Sequence, residues 1–138
     1  MTRADDHTLQ ELLRAIAAHD QPTLARLLAV SPSLAHMAAR VGAARGDERA
    51  YYLHEIAHYT YAGDTPLHIA AAAYRRDIAQ ELVSRGANAR ARNRRGAEPL
   101  HYAADGMPGS ASWNPEAQSA VVVFLVQAGA DPNAGDAT

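Results

Sequence analysis

A stretch that returns after 33 positions limits the folds open to this chain more than any other sequence feature. The segment at 64–71 reads DTPLHIAA, and an altered copy, AEPLHYAA, stands at 97–104. Pro66 therefore corresponds to Pro99, and His68 corresponds to His101. Because a fixed period of this length is typical of stacked helical units, we expect each copy to be one unit of an elongated stack.

The residues of one unit predict two helices followed by a finger. Thr65 is a good N-cap and Pro66 suits the first helical position, so a helix is predicted to begin there. A second helix is predicted to open at Asp77, whose charge suits the positive end of the helix dipole, and to close at Arg85-Gly86. Residues 88–95 are then predicted to form an extended hairpin, the finger.

The T-P-L-H-x-A motif and its period resemble the ankyrin-repeat family, over roughly residues 60 to 134. The resemblance implies an all-α solenoid of stacked helix-turn-helix units with β-hairpin fingers, and structural roles for His68 and His101. Three residues depart from the family's pattern: Glu98 stands in place of Thr, Tyr74 in place of a turn Gly, and Glu81 in place of Leu.

Bulk composition narrows the function. The chain has 138 residues, 48% of them apolar, which is enough for one soluble domain of three to four repeats. It has no long apolar run and no charged-then-apolar leader, so we expect no membrane contact and a cytoplasmic location. A net charge of −2 argues against nucleic-acid binding, and zero cysteines exclude thiolate chemistry. All 13 basic residues are Arg, which with the abundant Ala favours a bacterial source.

The organisation predicted from these patterns is a single ankyrin-repeat domain over 1–138. It has an N-terminal capping helix pair at 9–37, an inserted long finger at 38–60, a repeat at 61–93, and a repeat at 94–136 with an inter-helix insertion at 106–115. Residues 1–8 are polar and are predicted to be frayed.

Tyrosines concentrate in the second half of the long finger, which is predicted to be one extended arm. Tyr51, Tyr52, Tyr59 and Tyr61 are four of the six tyrosines in the chain. Tyrosine offers a large amphipathic contact area, so the cluster is a candidate partner-binding site. The alternative is that these side chains only pack the finger onto the repeats.

The same arm contains His54-Glu55-Ile56-Ala57-His58, a literal H-E-x-x-H. On a helix this motif holds zinc between two imidazoles while the Glu activates water. In a finger the geometry is missing, so we predict no metal and no catalytic residue. His54 and His58 are kept as metal-ligand candidates, and a metal-dependent hydrolase as an alternative function.

Arginines and single aromatic residues extend the candidate surface. The second finger carries Arg92, Arg94 and Arg95, which are either simply solvated or bind an acidic partner surface. Tyr74 is a further candidate contact. Trp113 lies in the 106–115 loop and either serves a second contact site or covers the stack.

The last predicted helix, 117–127, is apolar on every side from Val121 to Val126. Such a helix suits an inner repeat, yet no polar capping repeat follows it. We therefore expect that the natural protein continues, or that the chain's own C-terminal residues, another copy or a partner cover it. This leaves a self-assembling structural module as another alternative function.

We predict a non-enzymatic protein-protein interaction module that needs no cofactor. It is expected to bind a protein partner through its finger tips and the concave helix face. The C-terminal helix is a candidate surface for forming homo-oligomers.

Overall fold

The computed structural model describes residues 3–42, 51–105 and 114–133. The described helices and strands are α1 (Arg3–Ala17), α2 (Gln21–Val30), β1 (Tyr52–Leu53), β2 (His58–Tyr59), α3 (Pro66–Ala72), α4 (Arg76–Ser84), α5 (Pro99–Ala104) and α6 (Pro115–Gln127). Short 3₁₀ turns cover Pro32–His36 and His54–Ile56. α1 begins well before Leu9, so part of the 1–8 segment that was predicted to be frayed is helical.

The helices of the described residues form three antiparallel pairs, α1 with α2, α3 with α4, and α5 with α6. The first helices of the pairs pack in a row, α1 on α3 and α3 on α5, and α4 packs on α6. The core lies between the two rows. Its largest fully buried side chains include Leu12, Leu13, Ile16, Leu28, Leu67, Ile69, Ile78 and Leu82. An all-α solenoid is therefore the fold.

The motif at the start of α3 behaves as predicted. The Thr65 hydroxyl lies 2.9 Å from His68 Nδ1, and the Thr65 backbone N–H donates to the same nitrogen at 3.1 Å. The His68 side chain is fully buried, and its Nε2 donates to the Ala97 carbonyl of the next unit at 2.8 Å. The motif thus starts a helix and also ties two neighbouring units together.

The three departures from the motif each have a local explanation. Tyr74 takes φ +58°, the left-handed conformation for which glycine is favoured. Glu81 is half-buried, and its carboxylate pairs with Arg85 one helical turn later at 3.2 Å. Glu98 is 1% exposed, and one carboxylate oxygen lies 3.3 Å from Arg90 and 3.4 Å from Arg92.

The second half of the long finger, predicted to be a moderately extended arm of that finger, folds back on itself as a small hairpin. Tyr52 pairs with Tyr59 and Leu53 pairs with His58 in antiparallel register. The turn reverses at Ala57, which has φ +51°. Leu53 and the turn residue Ile56 are buried, so the hairpin is anchored on the stack by apolar side chains.

The second finger is a tight turn with no β-ladder across 88–98. The Asn93 N–H donates to the Ala97 carbonyl at 3.0 Å, and Gly96 follows the turn with φ +83°. The predicted extended hairpin is thus reduced to its closing turn. The Arg94 N–H donates to the Ala62 carbonyl at 3.1 Å, which fixes this finger beside the end of the long finger.

The inter-helix insertion lies mostly outside the described residues, and Trp113 with it. Asn114 caps α6 through a side-chain bond from the Ala117 N–H at 3.1 Å, and the helix begins at Pro115. Two residues that were predicted to precede the helix therefore belong to it.

Candidate partner-binding surface

A row of tyrosines runs along the long finger. The ring centroids of Tyr52 and Tyr59, cross-strand partners in the hairpin, lie 4.8 Å apart. Those of Tyr59 and Tyr61 lie 6.3 Å apart. All three side chains are half-buried. Each of these side chains is thus partly packed on the protein and partly open to solvent, and their role in binding a partner stays a prediction.

The second finger joins this row through Arg95. Its guanidinium carbon lies 4.9 Å from the centre of the Tyr61 ring, within the range of a cation–π contact. Arg94 and Arg95 form the turn of the second finger, and both are exposed. We call the set Tyr52, Tyr59, Tyr61, Arg94 and Arg95 the finger surface.

A cleft of about 480 Å³ opens beside the finger surface and runs along α5. Its described lining residues are His58, Tyr61, Asn93, Arg95, Ala97, His101, Tyr102, Ala104 and Asp105. The cleft therefore lies between both fingers and the inner helix face.

A buried polar network forms the floor of the cleft. Asp64 Oδ1 accepts hydrogen bonds from the Tyr102 hydroxyl at 2.8 Å and from Asn93 Nδ2 at 2.9 Å. Asp64 Oδ2 accepts from the Tyr61 N–H at 2.8 Å. Burial and the Asp64 carboxylate raise the pKa of Tyr102 well above its ordinary value of 10. The network holds a phenol and a carboxylate together and so joins the base of each finger to α5.

Asn93 sets the shape of the second finger from within this network. Its Oδ1 accepts from the N–H groups of Arg95 and Ala97, each at 2.9 Å. Its Nδ2 donates to the Tyr102 hydroxyl at 2.9 Å as well as to Asp64. Arg95 is placed over Tyr61 because the turn that carries it is held by a buried amide.

The H-E-x-x-H segment does not have the geometry of a zinc motif. His54 and Glu55 lie in the 3₁₀ turn, Ala57 is left-handed, and His58 lies on β2. The two imidazoles are therefore not one helical turn apart on a common face. No cluster of three potential metal ligands occurs among residues 3–42, 51–105 and 114–133.

The two histidines contact aromatic rings instead. His54 packs edge-on against Tyr52 with ring centroids 4.8 Å apart. His58 packs against Tyr102 at 4.8 Å, and its Nδ1 donates to the Tyr59 carbonyl at 2.6 Å.

Other sequence-predicted residues do not line this cleft. Tyr51 lines a different cleft against α1, together with Leu9 and Val41. Tyr74 lies in the turn between α3 and α4, and its hydroxyl donates to the Asp105 carbonyl at 3.0 Å. Arg92 is exposed but pairs with the buried Glu98 carboxylate.

Sequence reasoning missed His58, Asn93, His101 and Tyr102 as cleft residues. Tyr102 carried the available signal, because it occupies the repeat position of the buried Ile69. An aromatic hydroxyl in place of an aliphatic side chain indicates a polar partner nearby. Nothing in the sequence marked Asn93 as a cleft residue, because its partners come from distant parts of the chain.

Comparison with known protein families agrees with the stack. A model of ankyrin repeats, in three copies, matches residues 6–136. The chain belongs to the ankyrin-repeat family. Ankyrin repeats are generally protein-protein interaction modules, typically without enzymatic activity. No curated protein matches the chain. Within the part of the chain that the structure describes, none of the helices is both long and apolar enough to cross a bilayer.

Proposed function

We propose that this ankyrin domain is a non-enzymatic binding module whose finger surface and cleft contact one protein partner. The observation that carries the proposal is the contact between the two fingers, where Arg95 stacks on Tyr61 at the end of the tyrosine row. Tyrosine and arginine are the residue types that dominate binding energy at protein interfaces. Because both fingers are held by buried hydrogen bonds, the surface is preorganised and little ordering entropy is lost on binding.

The charge distribution favours a protein over a nucleic acid. Two of the four finger arginines, Arg90 and Arg92, lie within ion-pair distance of Glu98. Of the four finger arginines, Arg94 and Arg95 remain without an ion pair to the described residues. Two arginines do not form the broad basic stripe that binding to a nucleic-acid phosphate backbone requires. The formal charge of the whole chain is −2.

Capture from a lysate of the source cell tests the proposal. The intact chain is compared with a finger variant carrying Tyr59→Ala, Tyr61→Ala and Arg94→Ala, and bound proteins are identified by mass spectrometry. A matched control carries Arg26→Ala, Gln80→Ala and Arg85→Ala, three exposed positions that lie on α2, on α4 and directly after α4. Circular dichroism verifies that both variants fold.

We expect one protein to be retained by the intact chain and by the control, and lost with the finger variant. Equal retention by all three chains would place binding elsewhere and contradict the proposal. Retention of nothing specific by the intact chain would contradict it as well.

A second candidate function is self-assembly through α6. Val123 and Val126 on this helix are 52% and 39% exposed, whereas Val121 and Leu125 are buried. An apolar strip on an outer helix favours packing against another molecule. The hydrolase alternative has no such support, because His54 and His58 lie on a turn and a strand.

We also propose a cytoplasmic location in a bacterial cell. This part of the proposal rests on composition alone. Cell fractionation with an antibody to the chain would test the location.

A further inference from the structure

The polar side chains on the floor of the cleft are already hydrogen-bonded to one another. The Tyr102 hydroxyl donates to Asp64 and accepts from Asn93, while both ends of the Asn93 amide are bonded within the protein. A ligand in the cleft therefore finds its hydrogen-bonding partners on the walls, where Arg95, His101 and Asp105 lie.

His101 offers a donor to the cleft that its counterpart in the previous unit does not. In both units the motif histidine accepts a backbone N–H at Nδ1, from Thr65 to His68 and from Glu98 to His101. The second nitrogen of the imidazole, Nε2, therefore carries the proton. In His68 this N–H is bonded to Ala97 of the next finger, whereas His101 Nε2 has no acceptor among the described residues.

Arg95 offers the second donor set. Its guanidinium lies over the Tyr61 ring and makes no ion pair with the described residues. A cation–π contact satisfies none of the five N–H donors of the guanidinium, and a carboxylate can accept from two of them at once. His101 and Arg95 therefore make the finger end of the cleft an acceptor-binding region.

A negative charge lines the cleft about one helical turn beyond His101. Asp105 follows the last turn of α5, is exposed, and makes no ion pair with the described residues. Asp105 follows His101 by four residues along α5, a rise of about 6 Å at roughly 1.5 Å per residue. An extended peptide covers about that distance in two residues.

We propose that the cleft binds an extended peptide segment that carries an acidic and a basic side chain about two residues apart. The carboxylate accepts from Arg95 and His101 at the finger end, and the cation pairs with Asp105. This inference rests on the proposed function and specifies the chemistry of the partner segment. A purely acidic segment would meet Asp105, and a purely basic one would meet Arg95.

A phage-displayed library of random linear peptides, selected on the immobilised chain, tests the inference. Enriched peptides are synthesised with a fluorescent label, and their Kd is measured by fluorescence anisotropy against four chains: wild type, Arg95→Glu, Asp105→Lys and Tyr61→Ala. Arg85→Glu is the matched control, because Arg85 is an exposed arginine at the end of α4. Thermal unfolding verifies that each variant is folded.

We expect the enriched peptides to share an acidic and a basic residue at this spacing. Arg95→Glu should weaken binding at least about tenfold, or 1.4 kcal/mol, while Arg85→Glu leaves it unchanged. Replacing the peptide's acidic residue by Lys should restore binding to Arg95→Glu, and replacing its basic residue by Glu should restore binding to Asp105→Lys.

Two outcomes would overturn the inference in distinguishable ways. Peptides that depend on Tyr61 but show no charge pair, or that bind Arg95→Glu as well as wild type, contradict the peptide class and leave the finger surface as a binding site. Peptides that ignore both Tyr61 and Arg95, or no enrichment at all, reject the cleft as a peptide site. The lysate capture then decides the proposed function separately.

Discussion

Two histidines at the same position of the repeat have different roles in the stack, because their surroundings differ. His68 and His101 occupy the same position of the repeat and make the same bond through Nδ1. His68 is fully buried and His101 is half-buried. The difference arises because the finger that follows His68 supplies an acceptor carbonyl at Ala97.

The titration of His68 follows from its burial. Desolvation lowers the pKa of His68 below its ordinary value of 6.5, although Asp64 and the bond to Ala97 oppose the shift. The unfolded chain takes up a proton near pH 6.5 that the folded chain does not. Neutral His68 therefore makes its full contribution to the free energy of unfolding above about pH 6.5. Below that pH the free energy of unfolding falls by up to about 1.4 kcal/mol per pH unit.

An NMR titration that follows the His68 imidazole nitrogens measures this directly. We expect Nε2 to remain protonated and Nδ1 unprotonated at pH 6.5. Titration of His68 at or above that pH would contradict the assignment.

Backbone strain gives a second prediction at this scale. Ala57 is exposed and has φ +51°, a conformation that disfavours a residue with a Cβ. Ala57→Gly should therefore raise the free energy of unfolding by about 0.5–1 kcal/mol. Ala25→Gly, at an exposed helical position of α2, should lower it by about 1 kcal/mol. Urea denaturation measures both, and changes of the same sign would contradict the assigned conformation.

At the scale of elements, the two fingers are coupled through the end of α3 and the start of α5. Asp64 precedes α3, Asn93 lies in the second finger and Tyr102 lies on α5, yet their side chains meet at 2.8–2.9 Å. The long finger is connected to the same point through the bond from the Tyr61 N–H to Asp64. One buried network thus determines how both fingers are placed.

Removal of one hydroxyl tests this coupling. Tyr102→Phe keeps the ring but takes a donor from the buried Asp64 carboxylate, so the free energy of unfolding should fall by about 1–3 kcal/mol. Tyr52→Phe is the control, because the Tyr52 hydroxyl has no hydrogen bond to the described residues, and its effect should stay within about 0.5 kcal/mol. Equal losses in the two variants would show that the network contributes little.

For the whole molecule, the exposed face of α6 is the main departure from a well-covered stack. Replacing Val123 and Val126 together by Gln should reduce self-association, which sedimentation velocity over a concentration series measures. Val30→Gln is the control, because Val30 is 79% exposed at the end of α2. A wild-type chain that stays monomeric at every concentration, or an equal effect of Val30→Gln, would contradict association through α6.

The fold could be predicted because its information is local and repeated. Thr65, Pro66 and the apolar spacing of each unit specify where helices begin and which face is buried, and a 33-residue period requires that the units stack. The tyrosine row was predictable for the same reason, since its members are close in sequence. The hairpin within the long finger was missed because its turn residue, Ala57, is left-handed without being a glycine.

The site, in contrast, depends on contacts between residues far apart in the chain. The sequence alone identified Tyr61 and Arg95 as candidates. Their contact depends on the turn that the Asn93 side chain stabilises. Asn93 is itself hydrogen-bonded to Asp64 and Tyr102. Tyr51 and Tyr52 are neighbours in sequence, yet Tyr51 lines the cleft against α1 while Tyr52 packs against Tyr59. Local patterns therefore determined the helices and the stack, whereas long-range hydrogen bonds and packing decided which side chains share one surface.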